Sequence, residues 1–160
     1  MTGLIVLNYN DYVTTERFIN KVRDYNSLDK IIVVDNCSTD NSYEQLQKYK
    51  NRKIDVIKTD ANNGYAYGNN YGAFYAIGKY KLDELIISNP DVEIEEEAIK
   101  DMLLFLKHSK GIGTVTCQMV CTSGIEMPVA WKIPRYFDCL MENFIILSKI
   151  VGKRTHYKED

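Results

Sequence analysis

No apolar run in this sequence is long enough to cross a bilayer. The longest late stretch, Phe144 to Leu147 continued by Ile150 and Val151, is broken by Ser148 and Lys149, whereas a spanning helix needs about 20 predominantly apolar residues. A packing surface is the expectation there, against another part of the chain, a second subunit or the edge of a membrane. Basic charge is scarce too. Twenty Lys and Arg stand against 22 Asp and Glu, a formal net charge of -2, which removes the bulk attraction that nucleic acid exerts on its binders. The four cysteines, Cys37, Cys117, Cys121 and Cys139, form no CxxC pair and no zinc knuckle. Cys117 and Cys121 fall on one side of an expected strand, and reduced structural thiols in a cytosolic protein are the expectation. No basic leader and no small-residue cleavage site precede the first apolar run, so export is not expected. Two phosphate-binding signatures are missing: there is no GxxxxGK[ST] string, and the first strand-end loop, NYNDYVTT, has no glycine, which disfavours a dinucleotide fingerprint.

What is present is an ordinary globular composition, 45% apolar and 26% charged over 160 residues, enough for one substantial core. One domain over residues 1–152 with a polar tail at 153–160 is expected. The runs GLIVLN (3–8), KIIVVD (30–35), DVIK (55–58) and ELIISN (84–89) are continuously apolar rather than alternating. Such runs suit strands covered on both faces, hence an α/β fold with an open, mostly parallel sheet flanked by helices. Segments 12–26, 39–51 and 66–81 have the length of crossover helices. Ser38 or Thr39 is the expected cap of the second, with Asp40 and Glu44 near its start. After the fourth strand, acidic residues at 93 and 95–97 precede Ile99, Met102, Leu103 and Leu106 at helical spacing, and Gly111 ends the pattern. A strand near 112–121 and a last helix over 137–152 complete the expectation.

Polar clusters sit immediately beyond the strand ends: NYN at 8–10, DNCSTD at 35–40 and NPD at 89–91, with NNGYAYGNN at 62–70 opening the third helix. In an open α/β sheet that edge is where ligands bind, because loop amides and helix starts converge there. Each cluster alone is also what ordinary turns and caps use. Together they favour a polar ligand. Asp35 can accept from a base N–H or a ribose hydroxyl, Asp91 can hold a hard divalent cation bridging a diphosphate, and Tyr9, Tyr65 and Tyr67 can cover a base. A helix-capping role is the alternative for Asp91. Gly64 and Gly68 can serve simply to relieve crowding at a helix start.

Four strings, IVLNYN (5–10), IIVVDNCSTDNS (31–42), NNGYAYGNNYG (62–72) and IISNPDVEI (86–94), resemble in order and spacing the nucleotide-binding portion of family 2 glycosyltransferases of the GT-A fold. The rhamnosyltransferase-like branch is the nearest in pattern, and the likeness is strongest over residues 3–100. The resemblance implies that Asn8 and Tyr9 line the nucleotide pocket and that Asp35 contacts the base with Asn36 beside it. It implies that Asn62 and Gly64 form a turn approaching the nucleotide, with Asn69 early in the following helix. Asn89, Pro90 and Asp91 match the aspartate-any-aspartate element, Asn89 replacing its first carboxylate and Asp91 left as the ligand of Mg²⁺ or Mn²⁺. The implied donor is a UDP- or dTDP-linked sugar, the acceptor a saccharide or lipid-linked hydroxyl, and the reaction an inverting transfer in bacterial polysaccharide synthesis. The site would be cytoplasmic, with homo-oligomers and peripheral membrane association left open. A donor-binding module without catalysis and a sugar nucleotidyltransferase are the other readings; the second is disfavoured because NYNDY carries no positive charge for a triphosphate. Members of the family are commonly longer, so an incomplete member is expected. No catalytic base is assigned: Glu126, Asp138 and Glu142 lack a motif around them, and the Glu159–Asp160 pair sits on a polar terminus. Trp131 can stack on a sugar or pack in the core.

Overall fold

The computed structural model describes residues 1–127, which fall in two compact units, Met1–His108 and one that begins at Ser109. The expected last helix, Trp131, Asp138, Cys139, Glu142 and the tail lie outside the described residues.

In the first unit β1 (Thr2–Asn8), α1 (Tyr12–Val22), β2 (Lys30–Asp35), α2 (Ser42–Leu46), a single 3₁₀ turn (Gln47–Tyr49), β3 (Ile54–Lys58), α3 (Tyr65–Tyr80), β4 (Glu84–Ser88) and α4 (Glu96–His108) follow one another. The strands form one parallel sheet in the order β3-β2-β1-β4. Successive side chains of a strand point to opposite faces, and both faces here are apolar. Leu4, Val6, Ile31, Val33, Ile54 and Val56 pack with Phe18, Ile19 and Val22 of α1, Leu46 of α2 and Ile99 of α4. Ile5, Ile32 and Val34 face Ala73 and Ala76 of α3. This double burial is why the strands appear in the sequence as unbroken apolar runs.

The split of helices follows from handedness. Right-handed crossovers from β1 to β2 to β3 place α1 and α2 on one face, and the jump from β3 back past β1 to β4 reverses direction and places α3 on the other. The reversal leaves a switch point between β1 and β4, where open α/β sheets hold their ligands. Helix α3 lies close to the sheet because its buried stripe is Gly68, Asn69, Gly72 and Ala76. A Cβ at Gly72 would stand 2.7 Å from Val34 Cγ2 and 3.0 Å from Ile5 Cγ2.

Some elements differ from the sequence reading. Helix α1 ends near Val22, four residues early, and beyond it the Ser27 amide donates to Glu96 Oε1 at 2.8 Å. Helix α2 is five residues long and starts at Ser42. Ser38 and Thr39 do not cap it, because their hydroxyls and amides bond to Asn8, Asn10 and Asp35. In the second unit the expected strand at 112–121 is reduced to β5 (Met119–Val120), paired antiparallel with β6 (Glu126–Met127). The chain turns back through Gly124, whose φ of +78° suits glycine, and the Cys121 amide donates to the Ile125 carbonyl at 2.8 Å. Cys117 therefore lies outside any strand; Cys37, Cys117 and Cys121 are free thiols.

Candidate functional site

The carboxyl edge of the sheet gathers the four polar clusters. Asn8 and Asp35 end β1 and β2 and are register partners, so the loops beyond them leave the sheet side by side. A buried network joins them. Thr15 of α1 donates its hydroxyl to Asn8 Oδ1 (2.9 Å), and Asn8 Nδ2 donates to Asp35 Oδ2 (2.8 Å) and Ser38 Oγ (3.2 Å). The Ser38 amide donates to Asp35 Oδ1 at 2.9 Å. Asn8 is 1% exposed and Asp35 is fully buried.

Asn10 continues the network outward. Its φ is +53°, a left-handed conformation that asparagine tolerates better than most residues. In that pose its amide donates to Ser38 Oγ (2.9 Å), its Nδ2 donates to Thr39 Oγ1 (3.1 Å), and its Oδ1 accepts from the Thr39 amide (2.8 Å). The first two loops are thus fastened together by side chains. Tyr9, between the two asparagines, is 46% exposed and presents its ring at this edge. Asp40, at the far end of the second loop, has its carboxyl held below its ordinary range by hydrogen bonding to Ser42.

A second set of bonds ties β2 to the start of α3. Asn36 Nδ2 donates to Asn62 Oδ1 (2.8 Å) and to the Gly64 carbonyl (3.3 Å), while its Oδ1 accepts from Thr59 Oγ1 (3.2 Å). Asn62 Oδ1 also accepts from the Gly64 amide at 3.2 Å. Gly64 precedes α3 with φ +93°, the left-handed region that glycine occupies without a side-chain clash. Gly68 relieves crowding as expected, since a Cβ there would stand 2.4 Å from Leu7 Cδ1 and 3.2 Å from Asn36 Cγ. Tyr67 donates its hydroxyl to Asp60 Oδ1 at 2.5 Å, which lowers the Asp60 carboxyl and raises the phenol. Asn69 is only 4% exposed; its Nδ2 donates to the Tyr65 carbonyl, and its Oδ1 has no partner. A buried amide oxygen left unsatisfied is costly and marks a place where a donor group is wanted.

The loop after β4 is built differently. Asn89 and Asp91 are exposed, and the contacts of the loop itself are the Ser88 hydroxyl on the Asn89 carbonyl (3.1 Å) and the Val92 amide on the same carbonyl (3.4 Å). Two uncommitted oxygen-bearing side chains at a strand end suit a hard cation that completes its shell with water and phosphate oxygens. Among the described residues no group of three or more His, Cys, Asp and Glu side chains could hold an ion without such help.

The structure therefore brings Asn8, Tyr9, Asp35, Asn36, Asn62, Gly64 and Asn69 together on one side of this edge, with Asn89 and Asp91 on the loop beyond β4, next to β1 in the sheet. Sequence reasoning gave no binding role to Asn10, Ser38, Thr39, Thr15 or Thr59. Asn10 lay within the NYN cluster, but its partner loop is 29 residues away. A surface depression of about 510 Å³ over Asp101, Leu104, Phe105 and His108 of α4 includes none of these residues. No helix among the described residues is long and apolar enough to cross a membrane.

The low-salt glycan biosynthesis hexosyltransferase Agl10 of Haloferax volcanii is 28% identical over 156 residues, covering 98% of this chain and 48% of that protein. The chain thus spans about half the length of that relative. Among solved structures, S. aureus TarS 1-349 superposes with a TM-score of 0.54 at 23% identity, covering 66% of this chain and 32% of that one. The mannosyltransferase PcManGT of Pyrobaculum calidifontis, in complex with GDP-Man and Mn²⁺, superposes with a TM-score of 0.57 at 16% identity, covering 70% and 33%. The fold is the GT-A architecture expected from the sequence. With the profile of glycosyl transferase family 2 matching residues 4–150, nearly the whole sequence, the chain belongs to that family.

Proposed function

We propose that the carboxyl edge of the sheet binds a nucleoside-diphosphate sugar and that the protein transfers the sugar, with inversion, to a hydroxyl of a saccharide or lipid-linked acceptor. The observation that carries this reading is the convergence of four polar loops at the β1/β4 switch point, with preformed hydrogen bonds on one side and two free oxygen donors on the other. Tyr9 covers the base, and Asn8, Asp35, Asn36, Asn62 and Gly64 shape its pocket, with the buried Asn69 supporting the start of α3 behind them. Asn89 and Asp91 hold Mg²⁺ or Mn²⁺ against the diphosphate. When bound, the ion supplies positive charge to the departing phosphate oxygen.

The donor is a UDP- or dTDP-linked hexose or deoxyhexose, rhamnose included, and the product is a surface glycan. The glycan-building hexosyltransferase named among the relatives supports that class. The site faces the cytoplasm, where nucleotide sugars are made. The second reading, a donor-binding module without turnover, is favoured by one observation: of the carboxylates weighed as the base, Glu126 is the one within the described residues, and it is exposed on a two-residue strand. Release of nucleoside diphosphate from UDP- and dTDP-hexoses, measured with and without a glycan acceptor, separates the two. Acceptor-dependent release establishes the transferase. Donor binding with no release under any acceptor establishes the module.

A further inference from the structure

Asp35 lies in the pocket proposed above, and the resemblance implies that its carboxylate touches the base. Its burial argues otherwise. The residue has no accessible surface, so no ligand reaches it unless the 36–39 loop moves. Both carboxylate oxygens already accept bonds from neutral donors, Asn8 Nδ2 at 2.8 Å and the Ser38 amide at 2.9 Å. Those donors are the last residue of β1, where the first loop leaves the sheet, and a residue of the second loop. Ser38 in turn accepts from Asn8 and from the Asn10 amide through its own hydroxyl.

We infer that Asp35 is a positioning residue: it acts on the nucleotide through Asn8 and Ser38, fixing the first and second loops relative to each other, and does not read the base. Charge at this position is suited to the task because a carboxylate accepts on both oxygens, and hydrogen bonds to an ionised acceptor are stronger than neutral ones. An amide offers one acceptor, and its NH₂ would face the NH₂ of Asn8. The inference rests on the donor-site reading. It predicts that loss of Asp35 weakens every nucleotide alike, whereas a base-reading residue would change the order of preference among bases.

The test is a set of titrations of the full chain with UDP, dTDP and GDP. Asp35→Asn is expected to weaken all that bind by a common factor of roughly ten. Combining Asp35→Asn with the reciprocal exchange Asn8→Asp restores the pattern. The carboxylate, now at position 8, accepts from the Thr15 hydroxyl and from the amide NH₂ at position 35, whose oxygen accepts from the Ser38 amide. That double variant is expected to regain most of the lost affinity, although position 35 no longer carries a carboxylate. A loss confined to one base, or one that the exchange fails to recover, overturns the inference. Thermal unfolding of each variant is recorded alongside. Should Asp35→Asn fail to fold, Ser38→Ala decides: it removes the hydroxyl shared by Asn8 and Asn10 and keeps the Asp35 carboxylate. Uniform weakening across bases supports the inference, and unchanged affinity contradicts it. Absence of binding by the unaltered chain would contradict the donor-site reading itself, and this inference with it.

Discussion

The two sides of the candidate site are built on opposite plans. Beyond β1 and β2, the loops are fastened by side chains: Asn8, Asn10, Asp35, Asn36, Ser38 and Thr39 all hold one another or their neighbours. Beyond β4, Asn89 and Asp91 stand exposed, and among the described residues the loop is held through the Asn89 carbonyl. A rigid wall suits a nucleoside, whose shape is fixed and whose hydrogen bonds must be met at set positions; preorganisation there lowers the cost of binding. Free oxygens suit an ion whose remaining ligands arrive with the diphosphate. Under the proposed function, nucleoside recognition belongs to the first side and charge compensation to the second.

Three substitutions would break or sharpen that division. The largest effect is expected from Asp91→Ala, which should remove the metal-dependent part of nucleoside diphosphate affinity, roughly tenfold to hundredfold. Because the side chain is exposed, the unfolding temperature should barely change. An undiminished response to Mn²⁺ in titrations of this variant would count against the assignment. Asn10→Gly comes next. Glycine keeps the left-handed backbone and deletes only the side-chain bonds to the second loop, so the loss of stability should be about 1 kcal/mol. Nucleotide affinity should fall a few-fold, equally with and without metal; an effect seen only with metal would blur the division.

The smallest effect on binding is expected at the other end of the sheet. Asp55 of β3 is buried there and accepts from the hydroxyls of Tyr75 (2.8 Å) and Tyr80 (2.5 Å) and from Lys79 Nζ (3.0 Å). Burial alone would push its carboxyl up, but the bonds from Tyr80, Lys79 and Tyr75 together bring it below its ordinary value. A carboxyl lowered by folding contributes stability above its unfolded value near pH 4 and loses it as pH falls through the folded-state value. Asp55→Asn should therefore cost on the order of 1 kcal/mol at pH 7, since Lys79 is half exposed and solvent screens its share. The cost should shrink at pH 3, as denaturant unfolding at the two pH values would show. Nucleotide affinity should not change.

Much of this was legible in the sequence because it rests on local pattern. A strand covered on both faces must be apolar at every position, and β1 and β2 announce themselves that way. The small residues of α3, Gly68 and Gly72, fall where the helix meets Leu7, Asn36, Val34 and Ile5. The rim clusters were visible because strand ends in such sheets lead into polar turns. What stayed hidden depends on pairs distant in the chain. Ser38 and Thr39 are good caps by type, yet Asn8 and Asn10, up to 30 residues earlier, claim them first. The Asp35 carboxylate looked available because four apolar residues and a strand end say nothing about how the next loop folds over it. The hairpin of β5 and β6 was missed since its two strands are only two residues each and their turn, Cys121 to Gly124, lay at the end of the expected strand.

The most direct test of the division is to titrate the full chain with UDP and with UMP, each in the presence and absence of Mn²⁺, and to repeat the set with the thymidine nucleotides. Binding of both UMP and UDP without metal, with Mn²⁺ strengthening the diphosphate alone, is the result predicted by a preformed nucleoside wall facing an ion-dependent diphosphate loop. Equal response of the two nucleotides to the metal, or no binding of either pair by a folded sample, would contradict it.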